Sequence, residues 1–205
     1  KNKMKKWKLG QEVVALAVNR FKKKGFFVEF GATDGFDLSN TYLLEKKYFW
    51  EGIIAEPLPV WHGDLYKNRK CKIDTRCVWS SSDQNLEFID VEKPELSTIK
   101  IFANSDGHSK IRKKSKIIKV KTVSLIDLLK FHNAPKTIDY MSVDTEGSEL
   151  DILQNFPFDN YKFNLISIEH NYGQNKEKLK KLLHRNGYKP FLKNLSKWDG
   201  WFVPI

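Results

Sequence analysis

With 205 residues, 40% of them hydrophobic and 30% charged, the chain is long enough for one domain with a sizeable core and hardly long enough for two. No apolar run approaches the roughly 18 residues of a membrane span, and the basic start from Lys1 to Leu9 lacks the apolar segment of a signal peptide. The formal net charge of +11 is carried mostly by lysine, with Arg20, Arg69, Arg76, Arg112 and Arg185 the arginines. Arginine is the fork that reads phosphates and bases, so the excess reads as a solvated lysine-rich surface and argues against a nucleic-acid partner.

Residue 1 is Lys, so the chain is expected to be a cut piece or one domain of a longer protein. From Lys5 to Lys24, Trp7, Val13, Val14, Leu16, Ala17 and Phe21 recur at helical spacing, and Gly25 is a stop. This predicts a basic N-terminal helix over residues 1–24, packed on a domain over 25–205. Phe26 to Gly31 reads as a buried strand. Ser39, Asn40 and Thr41 precede a helix containing Leu43 and Leu44. Gly52 to Pro57 is a second buried strand stopped by proline, and a helix from Leu58 to Asn68 leads to a third strand, Cys71 to Val78. Six steps of about 3.3 Å along that strand would hold Cys71 and Cys77 about 20 Å apart. That is too far for a disulfide, and two thiols suit an intracellular, cytoplasmic protein.

Residues 79–122 are less regular. Leu86 to Val91 and Ile117 to Lys121 look like strands, and between them lie a polar loop, Asn104 to Ser109, and a basic run, Lys110 to Lys116, read as a surface loop or a substrate lid. A helix over Val123 to Phe131, a strand over Ile138 to Asp144, a helix from Glu149, a strand over Leu165 to Glu169, a helix over Lys176 to Asn186 and two end strands, Tyr188 to Leu192 and Trp201 to Val203, complete the chain. Alternating strands and helices are the signature of a parallel sheet with right-handed crossovers.

Four stretches carry chemistry. The turn Glu29 to Gly35 follows the first strand. With Gly31 as the first glycine, a dinucleotide fingerprint would need glycines at 33 and 36, where Thr33 and Phe36 stand. A ligand without a pyrophosphate, with a cationic or amino-acid part welcomed by Glu29 and Asp34, fits better, which favours S-adenosylmethionine over NAD. Glu56 ends the second strand 25 residues beyond Gly31, where such folds place an acid on ribose hydroxyls. Asp144, Glu146 and Glu149 cluster after the strand ending at Asp144; Asp144 and Glu146 are candidates for an amino group, a substrate hydroxyl or a metal. Finally, His170 could deprotonate a hydroxyl near neutral pH, and Glu169 or Asn171 could share a hard divalent cation with Asp144.

Taken together, Phe27 to Gly35, Ser39 to Thr41 with Leu44 and Glu45, Glu56-Pro57, Thr122 to Leu125 and Ile138 to Glu149 resemble the FkbM family of methyltransferases. The resemblance implies an α/β, Rossmann-like class I methyltransferase fold: a mostly parallel seven-stranded sheet with helices on both faces and the last strand antiparallel. It implies methyl transfer from S-adenosylmethionine, commonly to an oxygen of a sugar or natural product. By position Glu29, Gly31 and Asp34 would line the methionine side, Glu56 would hold the ribose, and Cys77 and Val78 would lie beside the adenine. Phe30, Ala32, Gly35, Ser39, Asn40, Pro57 and Asp144 belong to the same cofactor-binding stretches.

A sugar hydroxyl is a poor acid, so the reaction asks for a base or a metal. His170, Asp144 and Glu146 are the groups expected to supply it. The leading expectation is therefore an O-methyltransferase acting on a sugar or glycan, with a covalently linked glycosyltransferase domain as one neighbour to expect. Its rivals are a nucleic-acid methyltransferase and a cofactor-binding module without turnover. The lysine-rich N-terminal helix and the basic run at 110–116 fall outside the family pattern.

Overall fold

The computed structural model describes residues 10–102, 115–170, 175–193 and 199–205. Helix α1 (Gln11–Val18) is followed by β1 (Phe26–Phe30), α2 (Tyr42–Tyr48), β2 (Glu51–Ala55), α3 (Pro59–Asn68) and β3 (Lys72–Asp74). The irregular middle holds β4 (Cys77–Trp79), β5 (Asn85–Val91), β6 (Thr98–Ile99) and β7 (Ser115–Ser124), then α4 (Leu125–Phe131). Next come β8 (Thr137–Ile138), β9 (Tyr140–Val143), α5 (Glu149–Leu153), β10 (Lys162–Phe163), β11 (Ile166–Glu169), α6 (Lys176–Arg185), β12 (Tyr188–Phe191) and β13 (Asp199–Pro204).

The principal sheet has seven strands in the order β12-β13-β11-β9-β1-β2-β3. Pairing from β3 through β11 is parallel, and β13 runs antiparallel to both of its neighbours. This is the mostly parallel sheet with an antiparallel last strand that the sequence led us to expect. Strand periodicity sorts its side chains between two layers. Val28, Phe30, Ile53, Ala55, Met141, Val143, Ile166 and Ile168 point one way, against leucines of α4 and α6 and Ile152 and Leu153 of α5. Phe27, Ile54, Tyr140, Leu165 and Trp201 point the other way, against Ala15 and Leu16 of α1, Leu44 of α2 and Leu65 of α3. Helices therefore cover both faces.

Three boundaries differ from the sequence reading, each for a local reason. The first helix ends at Val18, not at Lys24, because Arg20 and Phe21 adopt left-handed backbone, with φ of 52° and 53°. Asn19 is meanwhile drawn onto the Ala15 and Asp139 carbonyls; the expected start of that helix at residues 5–9 lies outside the described residues. The expected strand 71–78 is two strands. Asp74 accepts hydrogen bonds from the Arg76 backbone N–H at 3.0 Å and from its guanidinium at 2.6 Å, closing a turn that ends β3. The chain then enters a second sheet, β4-β7-β5-β6, with its own small core of Leu58, Cys77, Trp79, Phe88, Ile99 and Val120. The helix expected from Val123 begins at Leu125, because Val123 and Ser124 still belong to β7. The Ser124 hydroxyl caps the helix by accepting from the Asp127 N–H. Both cysteines are free thiols. No helix among the described residues is long and apolar enough to cross a membrane.

Two glycines test this packing in opposite directions. A Cβ on Gly52 would sit 2.4 Å from the Phe27 ring, whereas on Gly63, inside α3, it would meet nothing within 4 Å. Gly52→Ala is expected to cost about 1–3 kcal/mol by overpacking. Gly63→Ala should be stabilising by up to about 1 kcal/mol through helix propensity. Urea unfolding of the two variants checks both signs.

Candidate functional site

The carboxyl ends of β1, β2, β9 and β11 lie side by side, and the loops leaving them enclose a cavity of about 340 Å³. In open α/β sheets this is where ligands bind. Gly31 makes the crossing possible. Its φ is +75°, and a Cβ there would lie 2.0 Å from the Asp144 carbonyl oxygen, so the loop after β1 can pass the loop after β9 only as glycine. The second sheet forms the roof, through Phe88, Ile99 and the short 3₁₀ turn Pro94–Leu96.

Of the residues singled out in the sequence, Phe30, Gly31, Glu56, Pro57, Cys77, Val78, Asp144, Glu146 and Glu169 line this cavity. Glu56 is 3% exposed and accepts backbone hydrogen bonds from Thr33 and Leu58, both at 3.0 Å. Burial pushes its pKa up to about 7 against those two donors, with Glu29 and Asp144 adding to the rise.

Glu29 is not in the wall. Its side chain is fully buried beneath the loop, where Ser39 donates to it at 2.9 Å and the Asn40 N–H and Thr41 hydroxyl also donate. The Arg69 guanidinium lies 3.7 Å away and reaches Ser39, Thr41 and Glu45 as well. The reason is strand alternation: Val28 and Phe30 face the α4–α6 layer, so Glu29 faces the other. Ser39 and Asn40 are thus supports of the loop; the Asn40 amide also donates to Ser142. Asp34 closes the turn by accepting from the Phe36 and Asp37 N–H groups at 2.9 Å. Gly35, at φ +74°, is packed against Arg69 and Leu65, and Ala32 is buried. Glu29, Ala32, Asp34, Gly35, Ser39 and Asn40, expected to bind the cofactor, are not among the residues lining this cavity; they shape its wall from behind.

Three carboxylates converge in the cavity. One oxygen each from Asp144, Glu146 and Glu169 lies within 4.8 Å of the others. Burial, together with the charges of Asp144 and Glu146, pushes Glu169 up to about 12, so it keeps a proton at neutral pH and hydrogen-bonds with Asp144. Glu149 is a loop brace, accepting from Thr145 N–H and hydroxyl and from Gly147 N–H.

His170 does not join this group. Being the next residue after Glu169, it points away from the acids and lines a separate cavity beside α6. Burial and the nearby Lys176 lower its pKa to about 4. Its expected convergence with Asp144 and Glu146 is therefore corrected. Asn171 and residues 110–114 lie outside the described residues.

Sequence reasoning missed Thr33, Leu38, Trp61, Pro94–Ser97 and Ser148 in the wall. Trp61 matters most, because its indole Nε1 is buried with no hydrogen-bond partner among the described residues, a donor that a ligand oxygen would satisfy. Its place one turn into the helix after Glu56-Pro57 was the available signal.

The sheet order, the glycine crossing and the acid at the end of β2 define a methyltransferase of the S-adenosylmethionine-dependent class. The Methyltransferase FkbM domain matches residues 29–190, most of the chain, and the chain belongs to that family. Among solved structures, methyltransferase FkbM from Methylobacillus flagellatus KT aligns with a TM-score of 0.53 at 13% identity, over 91% of this chain and 44% of that one. This chain thus spans less than half the length of that relative. Precorrin-6y C5,15-methyltransferase from Geobacter metallireducens GS-15 aligns at 0.46 and 11% identity, covering 94% and 85% of the two chains. Ribosomal protein L11 methylase from Lactobacillus delbrueckii subsp. bulgaricus aligns at 0.45 and 11%, covering 94% and 75%. No curated protein matches the chain.

The electrostatics give two expectations. Arg69→Met leaves Glu29 as a buried charge without its cation and should cost about 3–5 kcal/mol. Combining it with Glu29→Gln should recover part of that loss, read from urea unfolding of the single and double variants. For Glu169, a folded pKa above the ordinary 4.5 means that the folded state binds the proton more tightly. The stability this contributes is complete below pH 4.5 and is lost as pH rises. Glu169→Gln should therefore flatten the decline of unfolding free energy between pH 5 and pH 9, gaining most at the alkaline end.

Proposed function

We propose that the protein transfers a methyl group from S-adenosylmethionine to a hydroxyl of a sugar or glycan. The observation that carries this reading is the placing of Asp144, Glu146 and Glu169 in the same cavity as Gly31 and Glu56. The cavity fits the cofactor on its own chemistry. Gly31 admits close backbone approach, Glu56 keeps lone pairs for ribose hydroxyls beyond the two N–H groups it accepts, and Cys77 and Val78 offer an apolar wall for a flat base. The acidic lining, apart from the protonated Glu169, gives the site a negative field that suits a cation. When bound, the cofactor supplies an activated methyl on a sulfonium; the protein must then orient the acceptor, exclude water and remove a proton.

The acid cluster is suited to the proton. Burial and crowding leave Glu169 holding its proton, so it donates a hydrogen bond to Asp144 and positions that carboxylate to take the proton of a hydroxyl acceptor, a step that an amine or thiolate needs less. The Asp144–Glu169 hydrogen bond orients both groups toward the acceptor. The same hard oxygen donors would also take a divalent cation, which would replace the shared proton and polarise the hydroxyl instead. A trimmed acidic wall disfavours a polyanionic acceptor, in line with the shortage of arginine.

Calorimetry with S-adenosylhomocysteine and a radiolabelled methyl-transfer assay on a panel of sugars test the reading. Glu56→Ala should weaken binding by about 1–3 kcal/mol. Asp144→Asn should cut turnover by about 10²–10⁴-fold while leaving binding nearly intact, and Glu169→Gln, which keeps a hydrogen-bond donor toward Asp144, should cut it less. Loss of turnover in a chelator, restored by magnesium, assigns the step to a metal; resistance assigns it to the carboxylates. Wild-type protein that binds no S-adenosylhomocysteine, or variants with normal turnover, would overturn the proposal.

A further inference from the structure

The cavity beside α6, about 300 Å³, has a character opposite to that of the acid-lined one. Its floor is apolar, from Ile168, Leu179 and Phe202. Its rim carries three lysines from two elements: Lys176 and Lys180 on α6, and Lys193 just after β12. Glu177 is the acid among its lining residues, and its side chain is 65% exposed and 3.6 Å from Lys180, so it is largely screened by solvent. Lys176 opens the first turn of a ten-residue helix, whose amide dipoles add positive potential at that end. The lowered pKa of His170, caused by burial and then by Lys176, registers the same field from inside the cavity.

The two cavities flank one strand end and share no lining residue. Glu169 lines the first and His170 the second, and consecutive Cα atoms are only about 3.8 Å apart. Resting on the methyl-transfer reading above, we propose that the second cavity holds the anionic group of the acceptor, a phosphate or a carboxylate, while the acceptor's hydroxyl faces Asp144 and Glu169. The polarity of the pair orients such a molecule. An anion is repelled from the acid-lined wall around Asp144 and Glu146 and attracted to the lysines, so one end of the acceptor is excluded from the methyl-transfer cavity and the other is left to enter it. The volume of the second cavity suits one small anionic group on a sugar rather than a stretch of polymer.

The test is a calorimetric titration of the full chain at low salt with inorganic phosphate, glucose 6-phosphate, glucuronate and glucose, with S-adenosylhomocysteine titrated in parallel. We expect saturable binding of at least one anionic probe, competition by inorganic phosphate, and none by glucose; the ranking of glucose 6-phosphate and glucuronate distinguishes phosphate from carboxylate. Lys180→Gln combined with Lys193→Gln should weaken the anionic probe at least tenfold and leave S-adenosylhomocysteine affinity unchanged. Lys178→Gln with Lys181→Gln, on the same helix but outside the cavity, should have little effect. Equal binding of glucose, equal weakening by both lysine pairs, or no binding of any anionic probe at millimolar concentration overturns the inference. Anion binding in a protein that binds no S-adenosylhomocysteine overturns the methyl-transfer reading instead.

Discussion

A carboxylate buried in the middle of a sheet must be neutralised where it lies, and much of the site follows from how this chain does so for Glu29. Removing the charge from water costs several kcal/mol unless hydrogen bonds and a counter-charge replace hydration. Arg69 arrives from the end of α3, and Ser39, Asn40 and Thr41 arrive from the loop that follows β1. Meeting these demands ties α3, the loop and the start of α2 to one point under the sheet. The loop then has little freedom above it, and Gly31 and Thr33 are held at the rim, where Thr33 engages Glu56. A residue that never faces the cavity thereby sets its shape.

Acids are used differently at the end of β11. Asp144, Glu146 and Glu169 crowd together, and burial with the neighbouring acids leads Glu169 to take up a proton. Folding stability is given up there, as is common where chemistry is done. Two uses of acids thus share one fold: Glu29 and Glu149 accept several hydrogen bonds and brace loops, whereas Glu56 and the cluster line the cavity.

The net charge of +11 conceals this arrangement. The cavity around Gly31 and Glu56 is acidic, and the basic cavity lies one residue further along β11. Strand alternation produces the division, since Glu169 and His170 must leave β11 toward opposite sides. A whole-chain charge says little about either wall, because each wall sees the few side chains within a Debye length.

Local patterns determined much of this protein. Apolar runs bounded by glycine and proline located β1, β2, β9 and β11, and the spacing from Gly31 to Glu56 and on to Asp144 named the cavity's first wall, because strand ends in a parallel sheet share one edge. Tertiary structure decided what one-dimensional spacing cannot carry. It decided that Glu29 faces Arg69 and not a ligand, which depends on which side of β1 is turned toward α3. It split the 71–78 segment between two sheets through the Asp74–Arg76 turn, and built the roof from β5, β6 and the turn at Pro94, whose sequence shows no strong period. It also turned His170 away from the acids. Each of these outcomes rests on contacts between residues far apart in the chain, such as Glu29 with Arg69 or Gly31 with Asp144, and only packing sets those distances.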